Sequence, residues 1–285
     1  MFRRNYPPEL LAAFARRTEA AGFDELWVVE DLGFHGAFSQ CAAALSVTES
    51  LTVGLGIAPA VVRNAAFLAM EWTTTARMFP GRFHLGLGHG VDSWIEQVGE
   101  TPSSWLRSLE EIASTAKRLV VGENVSFDGT HVHLDNVELV HPVVGAQPLL
   151  SFGVRQPKSI ALAGRVADGV ILAECSGPAY VAQTRAAIGP DSRLTVFLYA
   201  TPDVAAARSE IDTRLSQGRF ASQLKVYEGS VVDLYTELLV SGNPTTWIDQ
   251  TQRWVAAGAD AIVWVPLMAE QPEALEVFEE ALRHN

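Results

Sequence analysis

Seven short apolar segments, rich in β-branched residues, recur along the chain with helical patterns between them. They are ELWVVE (25–30), LTVGLGI (51–57), RFHLGLG (82–88), PLLSFG (148–153), DGVILAE (168–174), LTVFLYA (194–200) and DAIVWVP (260–266). Strands that alternate with helices pair in parallel, because each connection must cross back over the sheet. The opening segment MFRRN (1–5) would supply an eighth strand. This count predicts an α/β fold of the (β/α)8 TIM-barrel type, with an open doubly wound sheet as the alternative.

Two connections are much longer than the others. Counting MFRRN as the first strand, the long insertions follow strands 4 and 7 and cover residues 91–147 and 201–243. The first insertion holds a helical pattern and then a small hairpin about Asp128-Gly129. The second contains the polar stretch 216–230, which suits a lid over a site. Because no repeat or linker interrupts the sequence, we expect one domain over residues 1–285.

Acidic residues outnumber basic ones by 33 to 21, which gives a formal net charge of −12. Without a basic stripe to neutralise phosphates, the chain is not expected to bind nucleic acid. The two cysteines, Cys41 and Cys175, lie in separate apolar segments, which favours a reducing compartment over a disulfide framework. No apolar run reaches the length of a membrane span and no signal peptide precedes the first helix. We therefore expect a cytoplasmic protein without a membrane partner.

Two neighbouring strands carry almost no side chains on the face that a barrel turns inward. Gly86 and Gly88 lie on that face of the fourth strand, Gly90 follows two residues later, and Gly56 and Ala58 occupy the same face of the third strand. Glycine weakens a strand, so its repeated use suggests that something approaches the backbone closely. The pattern predicts a flat ligand at the barrel mouth. The alternative is that small residues only relieve crowding inside the barrel.

Six stretches of the chain match one known family in order. They are TEAAGFDELWVVED (18–31), VGLGIAPAVVRNAAFLAMEW (53–72), FPGRFHLGLGHG (79–90), LEEIASTAKRLVVGENVSFDG (109–129), KSIALAGRVADGVILAE (158–174) and AAGADAIVWVP (256–266). On these stretches the chain resembles the bacterial luciferase-like superfamily of flavin- and deazaflavin-dependent oxidoreductases. The resemblance implies a barrel fold and a tricyclic cofactor, either coenzyme F-420 or FMN. Coenzyme F-420 is the first choice because the deazaflavin branch is the most similar.

The resemblance also implies roles for particular residues. Proteins of this family often have a non-proline cis peptide at the end of the third strand, and Gly56-Ile57 stands at that position. Glu30-Asp31 occupies the place where the family's deazaflavin-dependent sugar-phosphate dehydrogenases resemble Asp-His, so that Asp31 replaces a histidine. Asp31, His89 and Glu30 are therefore the candidate catalytic proton carriers. A helix cap formed by Asp31 and a structural His89 are the alternatives.

An anionic part of the ligand has a candidate site after the fifth strand. The loop from Gly153 leads into an apolar helix and contains Arg155, Lys158 and Ser159. Backbone N–H groups at a helix N-terminus, together with cationic side chains, form a typical anion site. Arg63, after the third strand, is a second candidate contact to the cofactor. A solvent-exposed basic turn is the alternative reading of this loop.

Glu174 and Ser176, after the sixth strand, are expected to border the substrate pocket. Ser176 stands near the position where the sugar-phosphate dehydrogenases of the family resemble lysine, which disfavours a sugar phosphate as substrate. No carboxylate or cysteine completes a ligand set around the histidines at 131, 133 and 141, so we expect no metal.

We therefore expect a luciferase-like monooxygenase or an F-420-dependent reductase or dehydrogenase that acts on a small organic substrate, as a homodimer. The enzyme would transfer hydride or activate oxygen. A non-catalytic flavin- or deazaflavin-binding protein, and a barrel isomerase or lyase of a phosphorylated substrate, are the alternatives. The loss of the family histidine at Asp31 is what makes the non-catalytic alternative credible.

Overall fold

The computed structural model of the protein describes residues 1–216, 220–230, 232–267 and 274–283. The strands are Glu25–Val28 (β1), Thr52–Pro59 (β2), Phe83–Gly88 (β3), Val125–Asp128 (β4), His133–Val137 (β5), Leu149–Gly153 (β6), Gly169–Leu172 (β7), Arg193–Thr201 (β8), Leu239–Ser241 (β9) and Ala261–Pro266 (β10). The helices are Leu11–Ala20 (α1), Ala37–Ser46 (α2), Ala65–Met78 (α3), Asp92–Gln97 (α4), Trp105–Val120 (α5), Pro157–Val166 (α6), Pro178–Ile188 (α7), Val204–Ser216 (α8), Ala221–Leu224 (α9), Leu234–Leu238 (α10), Trp247–Ala256 (α11) and Ala274–Arg283 (α12). Short 3-10 turns cover Pro8–Leu10, Ala60–Val62, Lys225–Tyr227 and Pro244–Thr246.

Seven of the strands form a parallel sheet that closes almost completely into a barrel. Their order around the barrel is β1-β2-β3-β6-β7-β8-β10, and β9 pairs with the end of β8. Helices pack on the outside, with α2 against β2, α6 against β6 and α11 against β10. The TIM-barrel prediction is confirmed, and the alternation of buried strands with amphipathic helices is its cause.

The predicted eighth strand is the exception. Residues 1–5 do not form a strand, although the amide of Phe2 donates to the carbonyl oxygen of Trp27 in β1 (2.9 Å). The chain turns at Arg3, whose carbonyl oxygen accepts from the amide of Tyr6 (3.1 Å), and two prolines follow directly. Proline lacks the N–H that a ladder of hydrogen bonds requires. The prediction of a strand at the start of the chain is therefore wrong.

Helix α5 shows how the sequence specifies the outer layer. Its buried residues recur at the spacing of one helical face and include Leu109, Ile112, Ala116 and Leu119. The hydroxyl of Ser104 accepts a hydrogen bond from the amide of Arg107 and caps the first turn. Burial of this apolar face against the neighbouring helices and β3 fixes the helix on the barrel.

Both long insertions fall where they are predicted, after β3 and after β8. The first contains α4, α5 and an antiparallel hairpin of β4 and β5, in which Asp128 faces His133. The second contains α8 to α10, and residues 217–219 of its predicted lid stretch lie outside the described residues. Within the part of the chain that the structure describes, none of the helices combines the length and apolarity that crossing a bilayer requires.

Large side chains fill the barrel interior next to the glycines of β2 and β3. The ring of Trp27 lies 4.9 Å from that of His84 and 5.4 Å from that of Phe197. A Cβ added at Gly54 would overlap the indole of Trp27, and one at Gly56 would lie 2.6 Å from Phe197 Cζ. At these two positions glycine is required because the chain's own aromatic rings occupy the space. The crowding alternative is thus correct for Gly54 and Gly56.

Candidate active site

A cavity of about 690 Å³ opens at the carboxyl ends of the barrel strands, and we call it the mouth cavity. The predicted site residues that line it are Glu30, Asp31, Gly56, Ile57, Gly88, His89, Gly90, Gly153, Arg155, Ser159 and Glu174. The predicted site residues Ala58, Arg63, Gly86, Lys158 and Ser176 do not line it. Parallel strands bring their carboxyl ends to one rim, which is where barrel enzymes place their active sites. The volume is in the range of small-molecule and cofactor sites.

Ile57 forms the floor of the mouth cavity. The Gly56-Ile57 peptide is cis, which confirms the expectation from the family resemblance. A Cβ added at Gly88 would lie 2.9 Å from Ile57 Cγ2 and 2.8 Å from the carbonyl oxygen of Gly153, and one added at Gly153 would overlap the Ile57 side chain. The glycines at the strand ends thus make room for Ile57. That they also admit a flat ring beside Ile57 stays a prediction.

Glu30 and Arg63 form an ion pair at the edge of the cavity. The guanidinium of Arg63 donates to both carboxylate oxygens of Glu30, at 2.6 and 2.8 Å, and also to Glu71 at 2.9 Å. The same Glu30 carboxylate accepts from the amide of Ala37 at the start of α2 (3.2 Å). Arg63 lies behind Glu30, with its guanidinium 5.2 Å from the ring centre of Phe38. This pair joins β1, α2 and α3, so both of its charges are already engaged by the chain itself.

Asp31 and His89 lie on the same cavity. The carboxylate of Asp31 accepts from Arg4 (2.7 Å), and its side chain is 25% exposed. His89 Nε2 lies 3.3 Å from the hydroxyl of Ser159. Burial lowers the pKa of His89, and the backbone of Trp105 and the charge of Asp92 oppose this effect without overcoming it. The imidazole is therefore neutral at pH 7, when it can both donate and accept a hydrogen bond.

The loop after β6 brings Arg155 and Ser159 to the cavity at the N-terminus of α6. No side chain caps this helix, whose N-cap residue is Gln156. Pro157 has no N–H, so the amides of Lys158 and Ser159 are the first-turn donors that this terminus offers to an acceptor. An anion is the ligand that such a terminus favours. The hydroxyl of Tyr180 donates to the carbonyl oxygen of Arg155 (2.5 Å) and fixes the loop. Lys158 is exposed and does not line the mouth cavity.

Three other predicted residues lie beneath the cavity surface. Ser176 is buried, and its hydroxyl donates to the carbonyl oxygen of Ala173 (2.7 Å) and lies 3.4 Å from the side-chain nitrogen of Gln223. Ala58 is buried, and a Cβ at Gly86 would lie 2.5 Å from the carbonyl oxygen of Leu55. These positions support the strand ends that carry the cavity lining.

Sequence reasoning missed Tyr199 and Arg214, which line the mouth cavity together with Glu174. The guanidinium of Arg214, on α8, lies 5.2 Å from the ring centre of Tyr199 and pairs with Glu210 (2.6 Å). Burial, followed by the charge of Glu174, raises the pKa of Tyr199 well above its ordinary value, so the phenol is a neutral donor. The alternation in LTVFLYA places Tyr199 on the inward face with Phe197, which was the available signal.

Comparison with known proteins decides the family. The family model described as luciferase-like monooxygenase matches residues 4–261. The chain belongs to the luciferase-like monooxygenase family. This luciferase-like chain is 27% identical over 162 residues to the 5,10-methylenetetrahydromethanopterin reductase of Methanolobus tindarius, covering 57% of the chain and 49% of the relative. It is 26% identical over 196 residues to the F420-dependent glucose-6-phosphate dehydrogenase of Nakamurella multipartita, covering 63% and 56%. The chain thus spans about half the length of these relatives.

Solved structures share the fold of this luciferase-like chain over its full length. An F420-dependent secondary alcohol dehydrogenase in complex with an F420-acetone adduct superposes with a TM-score of 0.81, at 20% identity, over 100% of this chain and 97% of that one. The coenzyme F420 dependent tetrahydromethanopterin reductase of Methanopyrus kandleri gives 0.79, at 16% identity, over 99% and 96%. At these identities the likeness establishes the barrel fold.

Five of the six stretches that carry the luciferase-like resemblance border the mouth cavity, and residues 109–129 are the exception. Residues 18–31 end at Glu30 and Asp31, and residues 79–90 end at His89 and Gly90. The polar residues at the ends of these two stretches therefore lie on the same cavity, although they are far apart in the sequence. The arrangement can hold a flat ligand over Ile57, bind an anionic group at α6 and supply a proton beside it.

Proposed function

We propose that this chain is an oxidoreductase that binds coenzyme F-420 in the mouth cavity and exchanges hydride with a small organic substrate. The observation that carries the proposal is the combination of a cavity over Ile57 with the uncapped N-terminus of α6 at its edge. Membership of the luciferase-like monooxygenase family and the F420-dependent relatives support it. FMN is the alternative cofactor, in which case the reaction is oxygen activation.

The residues of the cavity fit such a cofactor. Ile57 offers an apolar surface on which a tricyclic ring can lie, and Phe197 adds an aromatic wall. Arg155 and the first-turn amides of α6 suit the anionic group at the end of the ribityl chain. When bound, the deazaflavin ring supplies the carbon that accepts or releases the hydride.

Side chains of the cavity can donate and accept the proton that accompanies hydride exchange. Asp31 is oriented by Arg4 at the rim of the cavity and can hold a proton there. His89 is oriented by Ser159 and, being neutral, can accept or release one at Nε2. The ion pair with Arg63 leaves Glu30 in a positioning role, since both of its carboxylate oxygens accept from that guanidinium. We assign general acid–base chemistry to Asp31 and His89.

The substrate side of the cavity lies between Glu174 and Tyr199. Both line the mouth cavity, and Tyr199 presents a neutral phenol to it. Because Arg214 is paired with Glu210 and Ser176 is buried, the described residues of this wall form no site built for a sugar phosphate. A small molecule with a hydroxyl or carbonyl group fits these donors and acceptors.

We also propose a cytoplasmic homodimer of a single-domain chain. Helix α3 exposes three large apolar side chains on one face, Phe67 (66% exposed), Met70 (50%) and Met78 (61%). Large apolar side chains exposed on one side of a helix favour an interaction surface. Sedimentation of the wild-type protein and of Phe67→Glu tests this assignment, since the dimer is expected to dissociate in the variant.

A turnover screen tests the proposed activity. In one direction, purified protein is mixed with oxidised coenzyme F-420 and a panel of secondary alcohols. In the other direction, it is mixed with the reduced cofactor and the matching ketones. The visible absorption of the oxidised ring is followed in both. We expect turnover with at least one pair and a loss of turnover in Asp31→Asn. Cofactor binding without turnover on any pair would favour the non-catalytic alternative, and binding of FMN alone would favour a monooxygenase.

A further inference from the structure

A second cavity of about 430 Å³ lies beside the mouth cavity, and we call it the side cavity. It is lined by the first turn of α6, one side of α7, and the segment from Ala221 to Lys225. Arg155, Gln156, Ala221 and Ser222 line both cavities. A ligand that reaches the N-terminus of α6 from the mouth cavity therefore continues directly into the side cavity.

The charge of the side cavity is opposite to that of the chain. Two of its lining residues are cationic, Arg155 and Lys225, and no carboxylate of a described residue lines it. The whole chain has a net charge of −12 and contains only three lysines. Among the described residues Lys225 has no ion-pair partner, in contrast to Lys117, which pairs with Asp168 (2.5 Å). A basic, carboxylate-free cavity in an acidic protein selects an anion.

The wall that carries Lys225 is firmly attached to the barrel. The side chain of Gln223 is buried and donates to the carbonyl oxygen of Glu174 (3.2 Å). The hydroxyl of Tyr227 accepts from the amide of Ala179 at the start of α7 (3.3 Å). These contacts lie on either side of Lys225 in the sequence, so its position at the cavity edge is set by the fold.

We propose that the side cavity binds a carboxylate-bearing tail of the cofactor whose ring occupies the mouth cavity. This inference rests on the proposed function and separates its two cofactors: coenzyme F-420 continues beyond its phosphate into a glutamyl tail, whereas FMN ends at its phosphate. Lys225 contacts a tail carboxylate, while Arg155 stays with the phosphate at the boundary of the two cavities. The apolar wall of Ile160, Tyr180 and Ala187 covers the aliphatic part of the tail.

Fluorescence titrations at low salt with three probes test the proposal. The probes are coenzyme F-420 with its glutamyl tail, the tail-free deazaflavin with its ribityl chain, and FMN. The variants are Lys225→Gln, which removes the cation, and Ala187→Glu, which adds a carboxylate to the opposite wall. Arg16→Gln removes the same charge from the exposed side of α1, away from both cavities, and serves as the control.

We expect Lys225→Gln to raise the Kd of coenzyme F-420 about fivefold, as for the loss of one partly exposed charge-assisted contact. Ala187→Glu should weaken the binding of coenzyme F-420 at least as much, and the effect of each substitution should become smaller at high salt. The tail-free deazaflavin should bind all proteins equally, and more weakly than coenzyme F-420.

Two results would overturn the inference while leaving the proposed function intact. In the first, Lys225→Gln and Ala187→Glu bind coenzyme F-420 with the same titration curve as Arg16→Gln. In the second, the two substitutions weaken the binding of the tail-free deazaflavin as much as that of coenzyme F-420. If the wild-type protein binds FMN alone, or none of the three probes, the assignment of coenzyme F-420 fails and the inference fails with it.

Discussion

Replacing Gly88 with alanine tests whether the strand-end glycines serve the barrel or a ligand. The added Cβ would lie 2.8 Å from the carbonyl oxygen of Gly153 and 2.9 Å from Ile57 Cγ2, both closer than packed atoms tolerate. The first neighbour is backbone of β6 and cannot rotate away, so β3 and β6 must separate by a few tenths of an ångström. Overpacking of this kind costs about 1–3 kcal/mol. For a chain of 285 residues that lowers Tm by roughly 2–5 °C.

The assay is thermal unfolding of the cofactor-free protein, followed by circular dichroism. The matched control is Gly164→Ala, because Gly164 is exposed in α6 and its added Cβ would meet nothing closer than Ile188 Cα at 3.9 Å. There alanine should stabilise the helix by about 0.5–1 kcal/mol. An unchanged Tm in Gly88→Ala would show that the glycine is not required by packing, and would return it to the role of admitting a ligand.

Three further predictions follow from the contacts of single side chains. Arg63→Met should lower the free energy of unfolding by about 2–3 kcal/mol, because it leaves the carboxylate of Glu30 half-buried and without its ion-pair partner. Urea unfolding measures this change. The control Arg16→Met, on the exposed face of α1, should change the free energy of unfolding by less than about 0.5 kcal/mol. Hydrogen bonds from the amides of Ser50, Leu51 and Glu49 lower the pKa of Glu19 to about 2, below its ordinary value of 4.5, so its charge stabilises the fold above pH 4.5 and ceases to do so as the pH falls to about 2. The stability difference between wild type and Glu19→Gln should therefore shrink over that pH interval, and a difference that is constant with pH would contradict the assignment. Asp31→Asn should lower turnover about 100-fold or more while changing the Kd of the cofactor less than about twofold, and a parallel loss of both would make Asp31 a binding residue.

Most of the barrel could be predicted from the sequence because its strands are short, apolar and separated by helical patterns. The segment predicted at 82–88 is β3 at Phe83–Gly88, and the one at 51–57 is β2 at Thr52–Pro59. The start of the chain could not be predicted in this way. Whether MFRRN pairs as a strand depends on hydrogen bonds to distant strands and on the turn at Arg3, neither of which is visible in a five-residue pattern.

The candidate site was predictable where a residue directly follows a strand. Asp31, His89 and Arg155 converge because parallel strands end at one rim. The sequence could not show which polar groups form hydrogen bonds within the chain and are therefore not available to a ligand. Arg63 donates to Glu30, and the hydroxyl of Ser176 donates to the carbonyl oxygen of Ala173. Arg214 was missed for another reason: it lies in a long helical connection, where no strand end marks the face that turns toward the cavity.

Titration of the wild-type protein with coenzyme F-420 tests the central claim most directly, with Ala173→Phe as the site-blocking variant. Ala173 lines the mouth cavity at the end of β7, so a phenyl ring there would occupy the space of the cofactor. Quenching of the deazaflavin fluorescence should saturate at one cofactor per chain in the wild type and be lost in the variant. Absence of saturable binding of either coenzyme F-420 or FMN to the wild type, or undiminished binding to a folded Ala173→Phe protein, would contradict the account.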